Sequence, residues 1–319
     1  MTEVIVHFSR VKTQRNSEEN MLSVVSGMKN VLGRSKRRFA IGWLIPMVVY
    51  YTLWSIVPIA AVLVLSFSNW DGRLFEEISW VGFKHYQTFF TNSKYILIFL
   101  QSFLMGIIIF VVTLVFSFVI AYFINLPIRG KTIYRTVWYI PCVVSMAVVS
   151  ELVSNLLDPG NGLLNLILMQ TGKEPVMWQL SPFWMWFWIC TVSVWKGLGG
   201  TIILFLAGMA GIPKELYEAA RVDGAGNWKM LLHITIPCLK QMSAFIIITS
   251  LMGVFNMFEQ VQLISQGGPD GSTMVIMYQI YNEAFENFNV GMSSMLSVVV
   301  MILVSLITML NIKLTRISI

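Results

Sequence analysis

The stretch Glu218-Ala219-Ala220-Arg221-Val222-Asp223-Gly224, followed by Ile234-Thr235-Ile236-Pro237, decides how this chain is interpreted. It is polar and charged, yet it lies between two long apolar runs. Pro213 suits the first turn of a helix and Asp223-Gly224 suits its end, so a short helix is predicted over 214–222. Asn227 is expected to cap a second helical turn. Docking onto a partner would explain why a loop at a membrane face forms a helix, a tight bend and another helix.

The composition predicts an integral membrane protein. Apolar residues make up 56% of the 319 residues and charged residues 12%, against about 45–50% and about 25% in soluble domains. The three cysteines have no metal-ligand spacing, and none of the three histidines lies within an apolar run. No metal site and no catalytic residue are therefore expected.

Six apolar runs are each long enough to cross a bilayer, which takes about 20 residues. The predicted spans are 39–70, 95–128, 136–157, 183–209, 242–264 and 290–312. The aromatic-rich segment 71–94 predicts a short interfacial helix, and residues 158–162 form a strong turn cluster. Residues 1–38 are basic and lack the pattern of a signal peptide; they form either a helix on the membrane surface or a solvated tail.

The distribution of positive charge predicts the topology. Six spans place both termini on one side, and the segments on that side carry 17 of the 22 Lys and Arg residues. By the positive-inside rule, residues 1–38, the loop 210–240 and residues 313–319 are cytoplasmic. The net charge of +6 is therefore explained by the basic residues on the cytoplasmic side of the membrane, and nucleic-acid binding is not expected.

The sequence contains no nucleotide-binding loop in its required context. Gly130-Lys131-Thr132 resembles the end of such a loop, but Asn125 stands where the first glycine should be and no strand precedes it. A basic turn is the preferred interpretation. Any function driven by ATP would need a separate subunit.

Charged residues inside apolar runs are costly and are therefore functional candidates. Lys196 lies near the middle of the fourth span, with Glu151 and Glu259 towards the outer ends of the third and fifth spans. Lys196 either pairs with one of these carboxylates or extends into a water-filled cavity. In a cavity it would favour an anionic group on a substrate.

Two polar stripes flank the loop 210–240. One contains Ser193, Lys196, Gly197 and Gly200 on the fourth span, beside Trp195, and the other contains Asn256, Glu259 and Gln260 on the fifth span. Small and amide residues at helical spacing either hold helices together or form a surface that binds hydroxyl groups. The second alternative suits a sugar.

The central motif resembles the inner-membrane permease subunits of binding-protein-dependent ABC importers, in their carbohydrate-uptake branch. Their cytoplasmic motif reads E-A-A, three residues, G, nine residues, I-x-L-P; here it is Glu218-Ala219-Ala220, Gly224 and Ile234-Thr235-Ile236-Pro237, with Ile236 in place of leucine. Asp223-Gly224-Ala225 resembles the sugar-branch form of the motif centre. The resemblance covers about residues 40–312.

The resemblance implies an all-α fold of six transmembrane helices in residues 39–312, with a coupling helix in the loop 210–240. This helix would dock onto an ATPase subunit through Glu218, Ala219, Ala220, Asp223 and Gly224. ATP and Mg would be bound by an ATPase dimer and not by this chain. A second homologous permease, an extracytoplasmic solute-binding protein and the lipid of a bacterial inner membrane are the other implied partners. Sugar contacts are expected on the helices flanking the loop.

Two other classes remain as alternatives. A secondary transporter would also need a polar site at mid-membrane, but the first and last three spans show no inverted repeat. A membrane enzyme would need a base for Ser145, Ser150 or Ser193, and no intramembrane histidine is present to serve them.

Overall fold

The structure is a computed structural model that describes residues 39, 42–73, 78–254 and 257–315. The chain divides into two units, residues 1–61 and residues 62–319, and every site discussed below lies in the second. The prediction of a surface helix or a solvated tail in residues 1–38 lies outside the described residues, as does the side chain of Asn256.

The described chain is mostly helical, which confirms the predicted all-α membrane class. Four helices are long and apolar enough to cross a membrane: α1 (Gly42–Leu65), α3 (Ser93–Asn125), α7 (Pro182–Ala210) and α13 (Val290–Thr315). Two bent pairs add up to two more spans: α4 (Lys131–Val143) with α5 (Met146–Leu156), and α9 (Asn227–Cys238) with α10 (Lys240–Val254). Six spans therefore follow if each bent pair crosses the membrane once.

Short elements connect the long helices. They are strands β1 (Ser68–Asn69) and β2 (Ser79–Trp80), which pair antiparallel, and helices α2 (Lys84–Thr91), α6 (Leu163–Gln170), α8 (Lys214–Val222), α11 (residues 258–265) and α12 (residues 276–286). The short helix predicted within 71–94 is present as α2. The strands, α6 and α12 were not predicted, because tertiary hydrogen bonds hold these short segments in place. One example is the Ile276 amide, which donates to the Ser102 hydroxyl of α3 at 2.7 Å.

Helix α3 packs along α7 to form the centre of the second unit. The face of α3 turned towards the interior repeats small or hydroxyl side chains about every four residues, at Thr113, Ser117 and Ala121, which lets the helices approach closely. On the α7 side, Leu198, Ile202 and Phe205 complete the apolar cluster around Ala121.

Two of the predicted spans are interrupted. The predicted span 136–157 breaks at Val144 and Ser145, where α4 and α5 meet at a bend of 86°; Pro141 already lacks an amide donor three residues earlier. The predicted span 242–264 is interrupted at Met257, which is not helical; α10 is described to Val254 and α11 begins at Phe258. Both breaks border a cavity inside the protein, where freed backbone groups are tolerated.

Smaller differences concern helix ends. Gly226, and not Asn227, is the N-terminal cap of α9. Helix α13 continues to Thr315, so the predicted C-terminal segment 313–319 begins within a helix. Arg129 and Gly130 form a basic turn and Lys131 and Thr132 begin α4, with the Lys131 ammonium donating to the Asn125 carbonyl at 3.0 Å.

Candidate translocation cavity and docking loop

A cavity of about 830 Å³ lies between α3, α7, α10, α11 and the break between α4 and α5. Polar side chains line it from two directions. On α7 they come from one face of the helix, because positions three and four residues apart lie together. Ser193, Lys196, Gly197 and Gly200 form this face, as the sequence predicted.

The facing wall carries Glu259 and Gln260 of α11. The Gln260 amide donates to the Ser193 hydroxyl at 3.3 Å, and that hydroxyl donates to the Ile189 carbonyl at 2.8 Å. The two predicted stripes therefore meet across the cavity. For Glu259 and Gln260, the prediction that they lie on the regular fifth helix was wrong, because both belong to α11, which begins after the non-helical Met257.

Lys196 does not form an ion pair with a carboxylate among the described residues. Its ammonium donates to the carbonyl of Val144, at the break between α4 and α5. Glu151 instead accepts a hydrogen bond from the Asn155 amide at 3.2 Å. Of the two alternatives, the pairing with a carboxylate is not formed among the described residues, and Lys196 borders the cavity while it binds a backbone oxygen.

Trp195 does not line this cavity. It lies on another side of α7, 41% exposed, and borders a separate apolar groove of about 820 Å³ with Phe183 and Phe187. Successive residues of a helix point in different directions, so its neighbour Lys196 enters the cavity while Trp195 does not.

Several hydroxyl-bearing side chains of the cavity were missed. They are Thr113 of α3, Tyr139 of α4, Thr201 of α7, and Thr249 and Ser250 of α10. Hydroxyl groups at these positions were a weak signal, because they are common in membrane helices that merely pack together.

The predicted helix 214–222 is confirmed as α8. It ends where Gly224 adopts a left-handed conformation, with φ at 74°, which glycine adopts at little cost. The amide of Ala225 donates to the Ala220 carbonyl at 2.8 Å and the amide of Asp223 to the Ala219 carbonyl at 3.0 Å. These bonds satisfy the last carbonyl groups of the helix.

One side of α8 is attached to the membrane helices and the other is exposed. The Tyr217 hydroxyl lies 2.9 Å from the Thr235 hydroxyl of α9. Glu218, Ala219 and Asp223 are exposed, as are the apolar side chains of Val222 (88%) and Trp228 (76%). In the described part of the chain, Glu218 forms no ion pair with Lys214 or Arg221. Its carboxylate is therefore accessible to a partner.

Among the residues that the structure describes, no three His, Cys, Asp or Glu side chains come together to hold a metal ion.

Comparison with known proteins gives consistent results. The family model for the binding-protein-dependent transport system inner membrane component matches residues 128–315. The sn-glycerol-3-phosphate transport system permease protein UgpA of Yersinia pestis is 30% identical over 73% of this chain and 79% of its own length. The arabinooligosaccharides transport system permease protein AraP of Bacillus subtilis is 27% identical over 85% and 86%.

The fold is shared with a chain in the crystal structure of a bacterial ABC transporter involved in the import of the acidic polysaccharide alginate. The TM-score is 0.77, with 22% identity over 87% of this chain and 95% of that one.

Proposed function

Because the chain belongs to the family of inner membrane components of binding-protein-dependent transport systems, we propose that it forms the path by which a sugar or an oligosaccharide crosses a bacterial inner membrane. The solute is delivered by a solute-binding protein. The energy comes from ATP and Mg bound on separate ATPase subunits, and a second homologous permease completes the membrane domain.

The observation that carries the proposal is the polar cavity between α7 and α11. Ser193, Lys196 and Gly197 face Glu259 and Gln260 across a volume of about 830 Å³, which is within the range of small-molecule sites. Hydroxyl, amide and carboxylate groups are suitable partners for sugar hydroxyl groups. Two relatives are named for carrying arabinooligosaccharides and sn-glycerol-3-phosphate, which supports a carbohydrate-like solute.

We assign ATPase docking to the exposed side of α8 and the turn that follows it. Ala219 and Ala220 allow a partner helix to approach closely, and Glu218 and Asp223 offer carboxylates. The attachment of Tyr217 to α9 gives a route by which movement of the ATPase reaches the helices that border the cavity. By the positive-inside rule, α8 and both termini lie on the cytoplasmic side.

The proposal is tested by purifying the chain with its partner subunits and reconstituting the complex in vesicles. We expect ATP hydrolysis to increase when the binding protein delivers its sugar, and the sugar to accumulate in the compartment that contains the ATPase subunits only as ATP is consumed. Gln260→Ala should reduce solute-stimulated hydrolysis. Uptake driven by an ion gradient, with no ATPase co-purifying, would instead support a secondary transporter.

A further inference from the structure

The hydrogen-bond partner of Lys196 in this structure is a neutral carbonyl, which binds an ammonium group less strongly than an anion does. An ammonium group has three donors, and within the described chain its Nζ forms one hydrogen bond, to the neutral carbonyl of Val144. The side chain is half-buried and borders the cavity. A hydrogen bond between two charged groups is roughly twice as strong as one between neutral groups, so an anion in the cavity would compete for this ammonium.

The Val144 carbonyl, which accepts the hydrogen bond from Lys196, lies at the bend between α4 and α5. Val144 is the C-terminal cap of α4, and the chain turns by 86° between α4 and α5. The last carbonyl groups of a helix lack internal partners, and a positive charge there stabilises them. Lys196 therefore fixes the break between these two helices against α7.

We propose that the Lys196 ammonium exchanges partners during transport, leaving the Val144 carbonyl for the carboxylate or phosphate group of an anionic carbohydrate in the cavity. This inference rests on the proposed function and assigns its solute class. Binding the anion would release the break between α4 and α5, so the same contact selects the solute and permits the helices to move.

The wall of the cavity opposite Lys196 determines how the solute is oriented. Glu259 is the carboxylate that borders the same cavity from α11, beside Gln260. It repels an anionic group and accepts hydrogen bonds from hydroxyl groups. The anionic end of the solute is therefore placed at Lys196 and its hydroxyl end at Glu259 and Gln260.

The first experiment compares matched solutes in the reconstituted complex with its binding protein. The probes are a galacturonic acid disaccharide against the corresponding galactose disaccharide, and glycerol 3-phosphate against glycerol. The affinity of the binding protein for each is measured separately. Lys196→Met should lower the ratio of anionic to neutral stimulation of ATP hydrolysis by about ten-fold or more, and Lys196→Arg should restore most of it. Glu259→Gln should change the ratio in the opposite direction.

The outcomes separate the possible failures. Equal losses for both members of each pair in Lys196→Met would show that the lysine only braces the helices. Stimulation of the wild-type complex by neutral sugars alone would overturn the anionic solute class and leave the transport function standing. A wild-type complex whose ATP hydrolysis responds to no delivered solute would overturn the proposed function itself.

A second readout follows the break directly and uses the native Cys142, which lies on α4 and borders the cavity. In a Cys190→Ser and Cys238→Ser background, the preferred anionic probe should increase the rate at which a small maleimide labels Cys142. In the Lys196→Met variant, the maleimide should label Cys142 rapidly with or without the probe. A Cys142 labelling rate that does not respond to the anionic probe in the chain with Lys196 would contradict the exchange.

Discussion

Asn165 shows how one buried amide can organise a loop. Its side chain is fully buried; its nitrogen donates to the carbonyls of Pro159 and Val176 at 3.1 and 3.0 Å. Its oxygen accepts from the Val176 amide at 3.0 Å and from the Trp178 indole at 2.8 Å. Four hydrogen bonds on one side chain hold the segment between α5 and α7 in place.

Asn165→Ala should destabilise the protein by on the order of 3 kcal/mol, because several buried polar groups lose their partner at once. Thermal unfolding in detergent measures the change. Asn161→Ala, at an exposed position in the preceding turn, should leave the unfolding temperature unchanged. Equal effects of the two substitutions would show that the buried hydrogen bonds are not the cause.

Gly199→Ala should also destabilise the protein, lowering its free energy of unfolding by about 1–3 kcal/mol. A Cβ atom at position 199 would lie 2.5 Å from the Trp138 carbonyl oxygen and 3.1 Å from the Tyr139 Cα, so α4 would have to move away from α7. At the neighbouring Gly200 the nearest atom would be the Cys142 sulfur at 3.8 Å, an ordinary contact. Gly200→Ala should therefore unfold at nearly the wild-type temperature, and an unfolding curve for Gly199→Ala that matches it would refute the prediction.

At the residue scale, the sequence was informative where polar side chains repeat at helical spacing. Ser193, Lys196 and Gly197 were found in this way, because a polar stripe stands out in an apolar helix. Thr113 was not found, since small and hydroxyl residues at helical spacing, such as Thr113 and Ser117, are also common where membrane helices merely pack together. Trp195 was assigned by adjacency to Lys196, which misleads on a helix because adjacent side chains diverge.

At the scale of elements, the breaks were harder to predict than the helices. Hydropathy predicts a long apolar run equally well whether or not the helix is interrupted within it. The break at Val144 lies three residues after Pro141 and its carbonyl accepts a hydrogen bond from Lys196, and the break at Met257 borders the cavity. Pro141 was the local signal for the first break, and hydropathy carried no signal for the second.

Gly224→Pro should leave membrane insertion intact and uncouple uptake from ATP hydrolysis. Proline fixes φ near −65° and cannot adopt the value of 74° found at Gly224, so the turn after α8 must change. The number of solute molecules taken up per ATP hydrolysed measures coupling. Gly226→Ala is the matched control, because Gly226 has a negative φ and open space around it. Unchanged coupling in Gly224→Pro would exclude this turn from transmission.

At the scale of the whole molecule, the exposed apolar side chains of Val222, at the end of α8, and Trp228 support the proposed ATPase-docking surface. Replacing Val222 and Trp228 together with aspartate should reduce co-purification of the ATPase by at least about ten-fold, as for residues central to an interface. The isolated chain should unfold at the same temperature, because both side chains are exposed in it. Leu180→Asp, also at an exposed position, is the control, since this loop is predicted to lie on the other membrane face. Undiminished ATPase recovery with the double variant would place the docking surface elsewhere.

The large-scale fold was predictable because the bilayer requires long apolar helices, and α1, α3, α7 and α13 satisfy that requirement by composition alone. The short elements outside them were not. Strands β1 and β2 comprise two residues each, and α6 and α12 are held by contacts such as those of Asn165 and Ser102. Their stability comes from partners outside the element itself, such as the Val176 carbonyl for Asn165 and the Ser102 hydroxyl for Ile276.

The contact between Trp70, directly after β1, and the start of α13 has a consequence for how the protein is made. The amides of Val290 and Gly291, at the start of α13, donate to the carbonyl of Trp70 at 2.9 and 3.3 Å. These bonds join a segment that follows the first span to one that begins the last. Contacts between such distant parts of a chain form late, so this corner stays open through most of synthesis and closes only after the final helix has been translated.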